Sequence, residues 1–266
     1  MSAMGSLRDC VYGQAVGDAL GVPFEFKRRG SFECRDMVGH GTHGKPAGTW
    51  SDDTSMALAT CDSIRCTGGI DCADIRRRFE RRICDEEYTV DGVFDYGNTT
   101  ATALRRGRGC DGEYDNGNGS LMRILPLAFT DATDDEVRAV SAITHAHRTS
   151  TEACVGAVRF ARALADGAEP APAAAEIWGA GLADKPRSEV KSSGYVLDTL
   201  GAAIWCLLTT DTYAACVLEA VNLGEDTDTT GAVAGGLAGI VYGMDAIPSA
   251  WLEALRGEDD IEACLF

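Results

Sequence analysis

Two carboxylates one residue apart, Asp226 and Asp228, open the stretch Gly224 to Gly236, which reads Gly-Glu-Asp-Thr-Asp-Thr-Thr-Gly-Ala-Val-Ala-Gly-Gly. Acids followed by hydroxyls and small residues have the chemistry of a hard-cation site at the start of a closely packed helix. Magnesium and manganese take near-octahedral oxygen shells that one loop rarely fills. The remaining ligands must come from elsewhere, and Trp50-Ser51-Asp52-Asp53-Thr54 is a second acidic helix start. Capping accounts for one acid at each helix start; it leaves a second acid unexplained at both.

Helix geometry constrains how these acids are used. Residues two apart on a helix point about 200° from each other, so Asp226 and Asp228 belong to the turn before a helix or to its first turn. Ser51 or Asp52 is the natural N-cap of the earlier segment, which leaves Asp52 and Asp53 in the first turn. Free N–H groups there favour ionised carboxylates, while the same dipole repels a cation, so a metal site needs surplus negative charge from both loops. The opening Asp226-x-Asp228-x-Thr230-Gly231 matches a calcium loop, but the twelfth position is Leu237 where a bidentate Glu belongs, which excludes an EF-hand.

Two further junctions, Phe94-Asp-Tyr-Gly-Asn-Thr-Thr and Asp115-Asn-Gly-Asn-Gly-Ser-Leu-Met-Arg, lead glycines and small polar residues into helices expected over Ala101–Arg106 and Leu121–Phe129. Such junctions are either ordinary capped turns or phosphate cradles built from backbone N–H groups. His145 and His147 cannot share one helical face; one faces a site or both are satisfied junction residues. Cys34, His40 and His43 lie in a glycine-rich loop, Ser31 to Thr49, that can cover or line a site; they lack the second ligand pair of a zinc centre. The run Arg76, Arg77, Arg78, Arg81 and Arg82 reads as the solvated face of an amphipathic helix.

The elements that position these residues are helical. Periodic apolar positions predict helices over Leu7–Leu20, from Met56 to Ile64, after Asp71, after Thr133, and over Thr151–Asp166, Tyr195–Leu208, Tyr213–Leu223, Gly231–Tyr242 and Ser249–Arg256, with Gly167–Ala175 a connector or weak helix start. No alternating strand pattern occurs. The expectation is an all-α single compact domain, residues 1–266, of ten or more helices.

Composition narrows the partners. The 266 residues carry a formal charge of −17, which argues against general nucleic-acid binding and requires any phosphate to be handled locally. Eleven cysteines, an odd number with no Cys-x-x-Cys pair and no secretory leader before them, point to reduced thiols in the cytoplasm. No apolar run has the length of a membrane span.

Six segments carry a resemblance: Gly13-Gln-Ala-Val-Gly-Asp-Ala-Leu-Gly-Val-Pro-Phe-Glu25, Trp50-Ser-Asp-Asp-Thr54, Gly117-Asn-Gly-Ser-Leu-Met-Arg123, Thr144-His-Ala-His147, Ser193-Gly-Tyr-Val196 and Gly224-Glu-Asp-Thr-Asp-Thr229. In order and spacing they resemble the ADP-ribosylglycohydrolase family from about residue 7 to residue 243, most of all the bacterial branch that includes dinitrogenase reductase-activating glycohydrolase. The resemblance implies an all-α monomer with two Mg2+ or Mn2+ ions in a central cleft, held by Ser51, Asp52, Asp53, Asp226, Asp228 and Thr229 with Glu25 beside them. It implies hydrolysis of the bond between the distal ribose of ADP-ribose and a protein side chain or other acceptor, releasing ADP-ribose; arginine leads, with serine, acetyl and nucleobase acceptors open.

By the same resemblance Asp95 would be a general base or ring-opening participant, with Glu25 the competing catalytic candidate or a gate and Asp53 a metal-side contributor. Backbone amides of Asn118, Gly119, Ser120, Leu121 and Met122, with Gly97 and Asn98, would meet the diphosphate, and His145 and Tyr195 the distal nucleotide. Glu225 departs from the glycine many members carry there. A non-catalytic ADP-ribose-binding member and a two-metal hydrolase of another phosphate compound are the alternatives.

Overall fold

Ser6 opens the first helix by accepting the N–H of Asp9, and Asp9 in turn accepts the N–H of Ser6, a reciprocal cap. The computed structural model describes residues 5–266. In chain order the helices are α1 (Leu7–Gly21), α2 (Asp52–Thr67), α3 (Cys72–Asp85), α4 (Asn98–Arg106), α5 (Asp134–Ala142), α6 (Arg148–Ala165), α7 (Pro170–Trp178), α8 (Val196–Thr209), α9 (Tyr213–Val221), α10 (Thr227–Tyr242), α11 (Ser249–Ala254) and α12 (Glu258–Cys264). Among the described residues extended pairing is limited to isolated bridges, so the all-α expectation holds.

α1 and α10 form the centre, each buried on nearly every side. Their contact is a seam of glycines four apart. A Cβ added at Gly17 would stand 2.0 Å from the carbonyl oxygen of Gly231, and one at Gly13 would stand 2.3 Å from that of Gly235. Backbone therefore meets backbone, closer than any side chain permits. α10 packs its other faces on α8 and α9, and α2 packs on α1 and α3.

Three local expectations change. The segment expected as one helix over Leu121–Phe129 is two 3-10 turns, Leu121–Arg123 and Leu125–Phe129, because Pro126 has no N–H for a helical ladder. Gly167–Ala175 contributes to a true helix, α7, with Pro170 at its first position, where a missing N–H costs nothing. The arginines of α3 are not all solvated: Arg78 and Arg82 are buried, Arg78 in ion pairs with Asp62 and Asp74.

Candidate active site

The first turn of α2 is built from α1. Asp18, fully buried near the end of α1, accepts the N–H of Ser51 and both the N–H (3.0 Å) and the hydroxyl (2.6 Å) of Thr54. Ser51 is the N-cap; its Oγ accepts the N–H of Asp53 and donates to Asp53 Oδ2 at 2.8 Å. At the other acidic start, the N–H of Asp226 donates to Ser192 O, and Asp226 Oδ2 accepts Asn118 Nδ2 at 2.9 Å. Thr227 Oγ1 donates to Gly21 O, so the end of α1 also fixes the start of α10.

This arrangement brings the two acidic loops together. Carboxylate oxygens of Asp18, Asp53 and Asp228 lie within 4.8 Å of one another, and so do those of Glu25, Asp226 and Asp228. Asp228 is common to both groups. Thr229 Oγ1 reaches Asp53 Oδ2 at 3.4 Å. Asp53 Oδ1, Asp226 Oδ1 and Asp228 Oδ2 are buried with no hydrogen-bond partner. Orphaned buried carboxylate oxygens are costly unless something positive meets them, and an all-oxygen donor set fits hard divalent cations. The oxygens of Asp18 are instead taken up by N–H and O–H donors, which makes it a support for the α2 turn.

At these acids the pull of the helix start toward the ionised form is opposed by burial and by neighbouring carboxylates. Burial raises Asp53 and Asp228 well above the ordinary carboxylate range, followed by repulsion from Asp18 at Asp53 and from Glu25 at Asp228. Burial and the nearby Asp95 raise Asp52 and Glu25 in the same way. Burial also raises Asp226, against the hydrogen bond from Asn118. Desolvation and like charge outweigh the helix dipole here.

Asp95 stands half-buried at φ 47° and faces the same cluster, with ligand atoms of Glu25, His43 and Asp95 within 4.8 Å of one another. Arg82 holds its loop: Nη2 donates to the carbonyls of Phe94 (3.1 Å) and Asp95 (3.2 Å), while Nε and Nη1 are buried without partners. His43 hydrogen-bonds the Glu25 carboxylate, whereas Cys34 is buried against Asn222, so the Cys34–His40–His43 loop covers the site and makes no zinc centre.

A cavity of about 370 Å³ runs from Glu25, Asp52, Asp95 and Asp226 past Gly97 and Asn98 to Gly117, Asn118, Gly119 and His145. A roomier hollow of about 620 Å³ near Ile64 and Phe129 has no comparable acid cluster, so size does not select the site. Along the first cavity, the α4 N-terminus has no side-chain cap, and Thr100 Oγ1 is buried without a partner. His145 is buried and held far below its usual basicity by burial and then by Arg123, to about 3. Thr144 Oγ1 accepts Arg123 Nη2 at 2.9 Å and meets His145 Nδ1 at 2.8 Å. With the Thr144 hydroxyl donating to Nδ1, Nε2–H is a neutral donor beside Gly117 and Gly119.

Some expected contacts differ. The N–H of Asn118 donates to Gly194 O and that of Met122 to Asn118 O, so neither is free for a phosphate. Ser120 turns its hydroxyl to Ser141 and Cys154, and the Leu121 side chain is in the core; neither contact involves their backbone amides. Tyr195 is 42% exposed, and its neighbour Gly194 lines the cavity in its place. Asp18 and Arg82 belong to the site although the sequence pattern gives them no role in it, and His43 belongs to it on the loop expected to cover or line a site.

The fold and cavity define an all-helical protein with a cleft whose acidic end can hold cations and whose polar end offers backbone donors. A family model described as ADP-ribosylglycohydrolase matches residues 3–265. The chain is 34% identical to an ADP-ribosylarginine hydrolase of Pseudomonas putida, covering 98% of this chain and 76% of that protein. It is 35% identical to the ADP-ribosyl-dinitrogen reductase glycohydrolase of Rhodospirillum rubrum, covering 91% and 87%. A solved structure described as an ADP-ribosylglycohydrolase-related protein complex superposes with a TM-score of 0.85 at 33% identity, over 99% of this chain and 97% of that one. The chain belongs to the ADP-ribosylglycohydrolase family and is an enzyme.

Proposed function

We propose that this enzyme removes ADP-ribose from arginine side chains, acting as a cytoplasmic monomer with residues 1–266 as one catalytic domain. The observation that carries the reading is that Asp228 has a carboxylate oxygen within 4.8 Å of Asp53 in one group and of Glu25 and Asp226 in another, and that Asp53, Asp226 and Asp228 each keep a buried oxygen that no donor meets. Ser51, Asp52, Asp53, Asp226, Asp228, Thr229 and Glu25 would hold two Mg2+ or Mn2+ ions. Bound there, such ions supply Lewis-acid polarisation and lower the pKa of a water molecule.

The chain's own groups do the rest. Asp95 takes the proton released as the distal ribose reacts, and Glu25, next to it, is the second candidate for that proton. Free N–H groups at the start of α4, with Gly97 and Asn98, face the diphosphate, joined by the amides of Gly119 and Ser120. His145 donates from neutral Nε2, so an acidic protein handles a dianionic linker without a basic patch. The relatives named for arginine substrates support that acceptor. The eleven free thiols support a reducing compartment.

An ADP-ribosylarginine peptide incubated with Mg2+ or Mn2+, with and without chelator, tests this. The expected product is ADP-ribose, and the rate should fall about a thousandfold on chelation or in Asp53→Asn and Asp228→Asn. Release that survives chelation and both substitutions overturns the two-metal reading. AMP as product would mean pyrophosphatase chemistry, and binding of ADP-ribose without turnover would mean a non-catalytic member.

A further inference from the structure

Two acid–aromatic pairs stand at the cavity mouth: Glu25-Phe26 and Asp95-Tyr96, and all four residues line the cavity. Phe26 is 71% exposed and Tyr96 45% exposed, two of the few large apolar side chains left open among the described residues. Each pair contains a non-glycine residue at positive φ, Phe26 at 65° and Asp95 at 47°. L-residues rarely adopt this conformation, and the surrounding structure must enforce it.

Here it does. The N–H of Phe26 donates to Glu225 O and the N–H of Glu225 donates to Lys27 O, both at 2.7 Å, while Arg82 holds the carbonyl of Asp95. Glu225 is itself at φ 65° and exposed. Its part is a backbone one, which explains why a glutamate is accepted at a position where its side chain meets no cation-site constraint. His43 ties the two loops together: it bonds Glu25, and its ring lies 6.2 Å from Phe26 and 5.3 Å from Phe94.

An exposed ring held on enforced backbone adds nothing to the core. We propose that Phe26 and Tyr96 are the acceptor-selecting residues of this enzyme, gripping the planar guanidinium of the modified arginine; this rests on the arginine reading above. With the distal ribose at the carboxylates and the diphosphate toward Gly119 and His145, the acceptor leaves the cavity past these rings. A guanidinium stacks on aromatic faces and pairs with carboxylates, and each pair presents one of each. A small neutral acceptor gains from neither.

The test compares Phe26→Leu, Tyr96→Leu, the double variant and Phe26→Trp with the wild type. Two quantities are read: kcat and KM on an ADP-ribosylarginine peptide, and Kd for free ADP-ribose by calorimetry. Each leucine variant should raise KM roughly fivefold, and the double variant about twentyfold, as expected for loss of one and then two cation–π contacts. The Kd for ADP-ribose should stay within about twofold, and Phe26→Trp should retain the wild-type KM. Unchanged KM in the double variant, or an equal loss of ADP-ribose affinity, overturns the clamp while leaving the arginine reading intact. No release from the peptide by the wild type overturns the arginine reading, and the clamp with it.

Discussion

Asp18 and Thr54 are joined twice: one carboxylate oxygen of Asp18 accepts both the backbone N–H and the hydroxyl of Thr54. Through this pair α1 sets the first turn of α2, and with it the position of Asp52 and Asp53. Asp18→Asn turns an acceptor-only group into one that must point N–H at an N–H. The expected cost is about 2–3 kcal/mol, which lowers Tm by roughly 5–10 °C. Calorimetric Mn2+ affinity should fall as well; unchanged affinity in a destabilised variant would show that the turn does not need this support.

Asp53, Asp226 and Asp228 each bury a carboxylate oxygen that no donor meets. Asp228→Asn removes an acid whose ionisation folding opposes through burial and neighbouring carboxylates, and should raise the Tm of the chelated protein, while abolishing the Tm increase that Mg2+ gives the wild type. Thermal scans with chelator and with Mg2+ separate the two effects. A variant that still gains stability from Mg2+ would remove Asp228 from the cation site.

Arg82 anchors the carbonyls of Phe94 and Asp95 from a buried position. Arg82→Lys keeps the charge but is too short to place a donor where Nη2 meets both carbonyls. The expected loss in kcat is on the order of tenfold to a hundredfold, because Asp95 is no longer fixed at the reacting centre. Steady-state kinetics checks this, and the Kd for ADP-ribose should change much less.

His145 is neutral in the folded protein, its basicity depressed to about 3 by burial and then by Arg123. An unfolded histidine takes up its proton near pH 6.5. The folded-state pKa lies below the unfolded one, so stability is lost as pH falls below 6.5. From pH 7 to pH 5 this single residue should cost about 2 kcal/mol. Urea melts of the wild type and His145→Gln across that range should differ by this amount; parallel curves would mean that His145 titrates normally.

Legibility in the sequence followed how local each signal is. Asp52, Asp53, Asp226 and Asp228 were visible because paired acids at helix starts exceed what capping needs. The glycines of α10 were visible as a small-residue run, but their partners on α1, Gly13 and Gly17, were not paired with them, since that register is tertiary. Arg82 was hidden in a basic run on α3, where burial depends on a loop 12 residues away. Asp18 looked like an acid at a helix end, and only the arrival of Ser51 and Thr54 gives it work. α12 carries no strong apolar period: it is largely acidic, with Ile261 and Cys264 as its buried residues.

The glycine seam between α1 and α10 has a consequence for what can vary. Gly21 lies against the backbone of Asp228, and Gly17 against that of Gly231. The distance between the acidic ends of these helices is therefore set by peptide groups in contact, whose dimensions no mutation changes. Main chain rather than side-chain volume sets how closely the end of α1 approaches Asp228, while Asp52 and Asp53 take their position from the Asp18 side chain. Diversification is left to the lips, where Phe26, Tyr96 and Glu225 sit on loops: the catalytic gauge is inherited as main chain, and selectivity as side chain.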